Sequence, residues 1–441
     1  MTDVKVNLRM VVLEILMEVE KGQMSHLVIG NALKKYQYLD KQDRSFISRL
    51  SLGVIERKIE LDYIIDQFST TKVSKQKPAI RCILRMGVYQ LKYMDKVPVS
   101  AACNESVKLA EKKGFRTLKG FVNGVLRNIA RNIDNISYPD SQSAPLTYLS
   151  VTYSMPQWIV EMWQKEYGTD KTESMLKAIS HDKYTFIRCN TGKVTPDQLI
   201  DMLSKENVNA RYAKDIISDS AYDIPEYALA IEGYDYLESL DTFNQGLFWV
   251  QDISSMLAAG DVIGKSARCL DVCAAPGGKS LNAALIASEG SVDSRDVSET
   301  KTSLIDNNIE RLGITNVTTK VWDATVTDDE AVGKYDVVIA DLPCSGLGIM
   351  GRKPDIRYNV TKESVESLAN LQRQILSTVS SYVKEGGVLI YSTCTVDRAE
   401  NQDNVEWFTA NYPYELITDM INIAPGDLGN DGFFIARLRR V

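Results

Sequence analysis

A glycine-rich loop near the middle of the chain carries residues that are suited to nucleotide binding. The stretch from Asp271 to Ser280 is DVCAAPGGKS, and its last three residues match the end of a Walker A loop. A Walker A loop also needs a glycine at position 273, where this chain has a cysteine. The loop therefore belongs either to an altered ATPase or to a protein that holds a different cofactor.

Four aspartates lie at the ends of predicted strands, and their charge indicates the kind of ligand. They are Asp271, Asp296, Asp323 and Asp341. Asp296 is placed to accept both hydroxyls of a ribose, and Asp323 is placed to meet an adenine amino group. Carboxylates repel a triphosphate but suit a cationic adenosine ligand, so we expect S-adenosylmethionine. Capping of strand–helix turns would explain any one of the four, but not all of them together.

The elements that must position these residues follow from the hydrophobic pattern. From about residue 246, apolar runs alternate with helical segments, which is typical of a doubly wound, mostly parallel sheet. Ligands bind such a sheet at the carboxyl ends of its strands. The predicted strands are 267–272, 292–297, 317–322, 335–340 and 387–391, and the predicted helices are 279–288, 299–312 and 361–384.

The rest of the chain is predicted to form two further domains. Residues 1–131 have the apolar spacing of an all-helical domain, and 132–145 are a polar, proline-containing linker. Residues 146–245 indicate a small mixed α/β domain, with a helix that begins at Thr195-Pro196-Asp197. The catalytic domain is then expected at 246–441.

The net charge of −7 conceals a strong asymmetry along the chain. Residues 1–140 contain 24 basic and 15 acidic side chains, whereas 141–441 contain 27 basic and 43 acidic ones. Within 72–131 there are 14 basic side chains and three acidic ones. A basic module joined to an acidic one favours a polyanion such as RNA as partner, although a merely solvated basic face would give the same count.

The cysteines and the apolar segments exclude several classes of protein. The seven cysteines form no C-x-x-C pair, and the chain has only two histidines, so we predict no zinc site of common spacing. Scattered thiols are typical of a reduced, cytoplasmic protein. No uncharged apolar run of about 18 residues is present, so we predict no membrane span.

Three blocks resemble the signature motifs of the RNA 5-cytosine methyltransferases. They are the loop 271–280, DLPCSGLG at 341–348 and YSTCT at 391–395. Further similarity lies at 250–252, 311–313, 352–356 and 431–437, and residues 97–100, 104–107 and 121–127 resemble the helical NusB domain. A NusB-like domain joined to such a catalytic domain is the arrangement of bacterial 16S rRNA methyltransferases of the Sun family, and the similarity spans nearly the whole chain.

This resemblance implies a Rossmann-like methyltransferase with an all-α NusB-like domain and a small α/β middle domain. It implies S-adenosylmethionine as cofactor and cytosine 967 of 16S rRNA as the base converted to 5-methylcytosine, by an enzyme that we expect to be monomeric. The implied cofactor-binding residues are Cys273, Ala274, Ala275, Pro276, Gly277, Gly278, Lys279, Asp296, Asp323 and Asp341.

The implied chemistry requires a thiolate, because carbon 5 of cytosine is not nucleophilic enough to attack a sulfonium methyl group. Addition of a cysteine to carbon 6 makes carbon 5 nucleophilic. Chemistry alone leaves open whether Cys344 or Cys394 attacks, since both follow strands at the same sheet edge. The resemblance implies Cys394 as nucleophile and Cys344 as the residue that aids product release.

Two further residues complete the implied catalytic set. Asp341 is suited to supply a proton to ring nitrogen 3 as negative charge builds there. Lys279 either lowers a thiol pKa or orients the base, unless it is only a solvated lysine at the start of a helix.

Two alternative functions would require different residues from those in this sequence. A non-catalytic NusB-type RNA-binding factor with a vestigial methyltransferase fold would have no reason to keep both cysteines and all four aspartates. An amino-group methyltransferase would carry a block such as NPPY where this chain has DLPC. The sequence therefore predicts a cytosine-5 methyltransferase, with the binding factor as the alternative.

Overall fold

The computed structural model describes residues 6–180, 184–217, 220–429 and 431–441, which form two compact units. The first contains the residues up to Ser180 together with Arg352–Asn359, and the second contains the remainder of the described chain. Each unit is described separately below.

The first unit is helical, as the sequence predicts for its first 131 residues. Its helices are α1 (Leu8–Glu20), α2 (Ser25–Lys35), α3 (Lys41–Glu56), α4 (Lys58–Phe68), α5 (Pro78–Tyr93), α6 (Val99–Lys112), α7 (Lys119–Arg131), α8 (Pro145–Thr152), α9 (Gln157–Tyr167) and α10 (Thr169–Ile179). Amphipathic faces of α1 and α3 to α7 supply its core, which includes Val12, Leu50, Ile64, Ile83 and Leu126.

Helices α8 to α10 belong to the first unit by packing, although composition places them in the predicted middle domain. Hydrogen bonds explain this grouping. The Ser154 hydroxyl accepts from Ile59 N at 2.8 Å, and Arg57 Nη1 donates to Thr152 O at 3.0 Å. The end of α8 is thus tied to the start of α4, a long-range contact that no local sequence pattern reveals.

The segment Arg352–Asn359 is also anchored in the first unit. Ser25 donates to the Asp355 carboxylate through its backbone N–H, at 3.2 Å, and through its hydroxyl. The Tyr358 hydroxyl donates to Glu56 O at 3.2 Å, and Lys58 Nζ lies 4.8 Å from the centre of the Tyr358 ring. A motif that sequence similarity assigns to the catalytic half therefore packs among the helices.

The second unit begins with a four-stranded antiparallel sheet. Its strands are β1 (Thr185–Cys189), β2 (Asn209–Tyr212), β3 (Ala228–Glu232) and β4 (Phe248–Val250), in the order β2-β3-β1-β4, and its helices are α11 (Pro196–Lys205), α12 (Ala213–Ile216), α13 (Asp241–Asn244) and α14 (Ile253–Ala259). Helix α11 begins where predicted, because Thr195 and Gln198 form a reciprocal capping box.

The larger sheet has eight strands. They are β5 (Arg268–Asp271), β6 (Ser291–Asp296), β7 (Val317–Val321), β8 (Tyr335–Asp341), β9 (Val383–Thr393), β10 (Tyr414–Leu416), β11 (Ile421–Ile423) and β12 (Phe433–Arg440). The order is β10-β12-β9-β8-β5-β6-β7, with β11 beside β12. The accompanying helices are α15 (Gly278–Ile286), α16 (Glu299–Leu312), α18 (Lys362–Val379) and α19 (Gln402–Asn411), whereas the short helix α17 (Ile356–Asn359) belongs to the first unit.

Strands β9, β8, β5, β6 and β7 run parallel, and β12 pairs antiparallel with β9. The predicted doubly wound, mostly parallel sheet is therefore confirmed. Strand β9 begins at Val383, earlier than the predicted start at residue 387. Val383 pairs with Tyr335, and the register of the β8–β9 pair shifts between Tyr335 and Val337. The predicted helix 361–384 ends accordingly at Val379.

Both faces of this sheet are buried, which explains the continuous apolar runs in its strands. Cys269, Val337 and Ile390 pack on one face, and Leu270, Val338 and Leu389 pack on the other. Across the described ranges, no helix is both long and apolar enough to cross a membrane.

Candidate active site

The loop after β5 turns tightly into helix α15. Gly277 has a φ of +108°, a conformation that favours glycine, and a Cβ at this position would lie 3.2 Å from Ile305 Cγ2. Ala274 N donates to Arg295 O at 2.9 Å, which fastens the loop to the end of β6. The first loop is therefore held at the carboxyl edge of the sheet.

An open pocket of about 620 Å³ lies at this edge. Three of the four strand-end aspartates line it, namely Asp296, Asp323 and Asp341, together with Cys344 and Cys394. This volume is in the range of pockets that hold small-molecule cofactors. The carboxylates give the pocket the acidic lining that a cationic adenosine ligand requires.

The fourth strand-end aspartate, Asp271, supports the fold and does not line the pocket formed by the described residues. It is buried, and it accepts a hydrogen bond from Ser280 Oγ at 2.7 Å. This bond ties helix α15 to the end of β5. Burial raises the pKa of Asp271 to about 7, and the bond from Ser280 opposes that rise.

The raised pKa of Asp271 predicts a pH-dependent stability. Between about pH 4 and pH 7 the unfolded chain loses this proton while the folded chain keeps it, so the free energy of unfolding falls as pH rises. Asp271→Asn should remove this contribution, which is at most about 1.4 kcal/mol per pH unit. Urea unfolding at several pH values measures it, with the exposed Asp329→Asn as control; parallel curves for Asp271→Asn and the parent would contradict it.

Asp296 is held rigidly at the end of β6. Its carboxylate accepts from Ala275 N at 2.9 Å and Val297 N at 2.8 Å, and Lys301 Nζ lies 2.9 Å from Oδ1. Two carboxylate oxygens can accept more than these three bonds. Asp296 is therefore oriented by the protein and retains acceptor capacity for a ligand hydroxyl.

We expect Asp296→Ala to weaken S-adenosylmethionine binding by about 1.5–3 kcal/mol, the usual scale for hydrogen bonds to a charged group. Calorimetry measures the affinity, and Asp296→Asn, which keeps one acceptor oxygen, should lose less. The exposed Asp329→Ala provides a matched control. Unchanged affinity in a folded Asp296→Ala protein would remove this residue from the cofactor site.

Asp323 differs from Asp296 in being exposed. Its Oδ1 accepts from Thr325 N at 2.9 Å and from Thr325 Oγ1 at 2.7 Å, and these bonds lower the pKa of the carboxyl. Trp322, immediately before it, contributes an aromatic surface to the pocket. The sequence located Asp323 but not the role of its neighbours Trp322 and Thr325.

Asp341 and Lys279 form an ion pair beside the two cysteines. Lys279 Nζ lies 2.7 Å from Asp341 Oδ2, and Ser392 Oγ donates to Asp341 Oδ1 at 2.8 Å. The side chain of Lys279 is only 11% exposed. The interpretation of Lys279 as a solvated lysine is therefore wrong, because its ammonium lies in the site against a carboxylate.

The two candidate cysteines are in contact. Asp341 pairs with Ser392 across β8 and β9, so the chain segments that follow these strands lie side by side, and Cys344 Sγ is 3.3 Å from Cys394 Sγ. The hydrogen bond with Cys394 raises the pKa of Cys344 well above its usual value, with burial, Glu400 and Asp341 acting in the same direction. Two thiols this close cannot readily ionise together.

Comparison with known proteins gives a consistent result for the whole chain. Residues 263–439 match the family described as 16S rRNA methyltransferase RsmB/F, residues 6–131 match the NusB family, and residues 155–219 match the ferredoxin-like domain of RsmF/B-like proteins. A probable ribosomal RNA small subunit methyltransferase B from Bacillus subtilis is 32% identical, and the match covers 99% of both chains. The chain belongs to the RsmB/F family of 16S rRNA methyltransferases.

A further relative and two solved structures are also similar to the chain, and the solved structures show the same fold. The ribosomal RNA small subunit methyltransferase B of Citrobacter koseri is 28% identical over 95% of both chains. The crystal structure of PH0851 has a TM-score of 0.82 at 22% identity and covers 99% of both chains. NSun6 from Pyrococcus horikoshii with SFG has a TM-score of 0.55 at 23% identity, covering 65% of this chain and 98% of that one. As a member of this family, the protein uses S-adenosylmethionine as cofactor.

The residues of the loop after β5 that the sequence predicts to bind the cofactor fall into two groups. Cys273 and Ala275 line the pocket, whereas Ala274, Pro276, Gly277 and Gly278 lie outside the lining formed by the described residues. Lys279 faces Asp341. Burial raises the pKa of the Cys273 thiol, so we assign this cysteine to packing at the pocket wall.

Sequence reasoning missed two buried polar residues beneath the cysteines, Glu400 and Gln372. Gln372 Nε2 donates to Glu400 Oε1 at 3.0 Å and to Pro343 O at 2.9 Å. The only signal for Glu400 is its position six residues after Cys394. Acidic residues are normally exposed, so an isolated glutamate gives no indication in the sequence that it is buried.

Proposed function

We propose that this protein transfers a methyl group to carbon 5 of a cytosine in 16S rRNA, at position 967, through a covalent bond between Cys394 and carbon 6. The observation that carries the proposal is the contact of Cys344 Sγ and Cys394 Sγ, 3.3 Å apart in the wall of a pocket that also contains Asp341. An amino-group or ribose methyltransferase has no use for a pair of thiols in its cofactor pocket.

The cofactor requirement fits the residues of this pocket. Asp296 has acceptor capacity for a ribose-type diol, Asp323 and Trp322 line a part of the pocket suited to adenine, and the acidic lining suits a sulfonium and an ammonium. When bound, S-adenosylmethionine supplies an electrophilic methyl group. The remaining chemistry belongs to side chains of this protein.

Cys394 acts as the nucleophile in this proposal. Its thiolate forms a bond to carbon 6, and the electrons of the 5,6 double bond make carbon 5 nucleophilic. For this step Asp341 must be in its protonated form, since it supplies a proton to ring nitrogen 3 as negative charge builds there and takes the proton back when the aromatic ring is restored. Lys279 holds the Asp341 carboxyl in place and stabilises it after the proton has left.

Cys344 acts in the release step. After carbon 5 has gained its methyl group, the proton on carbon 5 passes to a water molecule acting as base. The electrons of the broken C–H bond restore the 5,6 double bond and expel the Cys394 thiolate from carbon 6. A neutral Cys344 thiol 3.3 Å from Cys394 is suited to assist this departure, since its S–H can donate a hydrogen bond to the leaving thiolate. The two cysteines thus have different roles.

Bisulfite sequencing tests the proposed product. Protein-free 16S rRNA and isolated small subunits are each incubated with the protein and S-adenosylmethionine, and protection at cytosine 967 is the expected result. Cys394→Ala is the matched inactive control. Methyl transfer without any bisulfite-resistant cytosine would overturn the carbon-5 assignment, and protection at another cytosine would overturn the position alone.

The basic module is proposed to bind the RNA substrate. Lys112, Lys113, Arg116 and Lys119 are all exposed around the end of α6 and the start of α7. Not every basic residue in 72–131 belongs to this surface, because Arg85 is buried and bonds to Asp62 and Glu20. The RNA-binding interpretation therefore rests on the exposed subset.

We expect reversal of Lys112, Lys113, Arg116 and Lys119 to glutamate to weaken RNA binding and to flatten its salt dependence. Each lost phosphate contact lowers the log–log salt slope by about 0.7–0.9. Cofactor affinity should not change. Reversal of the exposed Lys21, Lys34, Lys35 and Lys41 is the matched control, and equal slopes for the two variants would mean that the 112–119 surface is only solvated.

A further inference from the structure

Glu400 is a buried acid that the mechanism above does not use. It is 0% exposed and lies between the end of β9 and the start of α19. Among the described residues, the donors to its carboxylate are uncharged: Ser345 N, Ser345 Oγ and Gln372 Nε2. Burying a carboxylate without a cation is costly, so a carboxylate at this position requires a specific explanation.

The contacts of Glu400 join the two cysteine loops. Oε1 accepts from Ser345 N at 2.9 Å, and Oε2 accepts from Ser345 Oγ. Ser345 Oγ lies 2.8 Å from Thr395 Oγ1. Ser345 directly follows Cys344 and Thr395 directly follows Cys394, so one carboxylate fixes the residues next to both thiols.

Helix α18 and strand β9 supply a rigid support for this arrangement. Gln372 on α18 donates to both Glu400 Oε1 and Pro343 O, and it accepts from the Tyr391 hydroxyl at 3.2 Å. Tyr391 also donates to Glu400 O. A carboxylate that is held from several directions can apply a charge at a fixed place.

We propose that Glu400 is a positioning residue that favours attack by Cys394: its carboxyl group holds the Cys344 loop through Ser345 and opposes negative charge on Cys344. This inference rests on the covalent mechanism proposed above. Glu400 acts on Cys344 in the same direction as the contact with Cys394 and the burial of the thiol.

The charged groups around the two cysteines also oppose negative charge on Cys344. Cys344 faces Cys394, Glu400 and Asp341, all of which raise its pKa. Burial raises the pKa of the Glu400 carboxyl and Asp397 acts in the same direction, whereas the hydrogen bonds from Ser345 and Gln372 oppose the rise. Arg373 on α18 donates to Asn404 Oδ1 at 2.7 Å. Lys279 is engaged with Asp341. Glu400 is therefore the acid whose hydrogen bonds reach the Cys344 loop.

Thiol alkylation by iodoacetamide, followed by peptide mass spectrometry over a pH series, tests this proposal. The Cys394→Ala protein reports Cys344 alone, and the Cys344→Ala protein reports Cys394 alone. Adding Glu400→Gln should shift the curve of Cys344 alkylation rate against pH (the Cys344 profile) to lower pH by about one unit. Below the midpoint of this curve, the alkylation is then roughly tenfold faster than without the substitution. The Cys394 profile should move by less than half as much, and Glu400→Asp, which keeps the charge, should restore the Cys344 profile.

The proposal is overturned if Glu400→Gln leaves the Cys344 profile unchanged or shifts the Cys344 and Cys394 profiles equally. It is also overturned if Glu400→Asp shifts the Cys344 profile as far as Glu400→Gln does. Circular dichroism establishes whether the variants fold. Should Glu400→Gln fail to fold, the two single-cysteine proteins decide: Cys344 must ionise at higher pH than Cys394, and the reverse order overturns the proposal. No RNA or S-adenosylmethionine enters this assay, so its failure is distinguishable from a failure of the bisulfite experiment.

Discussion

Cys394→Ala should abolish methylation and form no covalent complex with RNA, whereas Cys344→Ala should accumulate an SDS-resistant protein–RNA complex. Cys394 forms the bond to carbon 6, so its loss prevents the first step. Cys344 assists the release step, so its loss leaves the attack intact and slows the departure of the thiolate. A denaturing gel with labelled RNA and S-adenosylmethionine displays both outcomes.

Cys189→Ala is the matched control for these variants, because it removes a buried thiol remote in sequence from both cysteine blocks. It should methylate RNA and accumulate no complex. A complex with Cys394→Ala but none with Cys344→Ala would reverse the two roles. No complex from either variant, together with no methylation by the parent on any ribosomal RNA substrate, would favour the non-catalytic RNA-binding factor.

Asp341→Asn should lower kcat by about 10²–10⁴, the usual contribution of a general acid, because the amide cannot supply a proton to ring nitrogen 3. The variant keeps the size of the side chain and leaves Cys344 and Cys394 in place. Single-turnover methyl transfer under saturating S-adenosylmethionine measures the loss, since Asp341 also lines the cofactor pocket.

Lys279→Met provides the comparison for Asp341→Asn. It removes the ammonium that contacts Asp341 at 2.7 Å but leaves the acid itself. We expect a smaller loss of kcat than for Asp341→Asn. If Asp341→Asn changes only the KM for the cofactor and not kcat, Asp341 binds the cofactor and takes no part in proton transfer.

The sequence was sufficient to predict the class of the fold and most residues of the candidate site. Alternating apolar runs and helical segments define a parallel sheet, and the carboxyl ends of its strands must meet at one edge. That rule brings Asp296, Asp323 and Asp341 to one pocket, as the structure shows. The contact of Cys344 with Cys394 follows from the same rule, because β8 and β9 are neighbours in the sheet.

Other features depend on packing between distant segments and could not be predicted. Asp271 has the same position at a strand end as Asp296, yet it bonds to Ser280 under helix α15 and not to the pocket. Lys279 looks like a solvated lysine until Asp341, 62 residues later, is placed beside it. Glu400 gives no local signal, since its contacts to Ser345 and Gln372 span 55 and 28 residues.

The most direct test of the proposed mechanism is mass spectrometry of the complex trapped with Cys344→Ala. After digestion of protein and RNA, we expect a single cross-linked peptide that contains Cys394 and carries a cytidine with one added methyl group. A nucleotide bonded to any other residue, or a cytidine without the methyl group at saturating S-adenosylmethionine, would contradict the proposed mechanism.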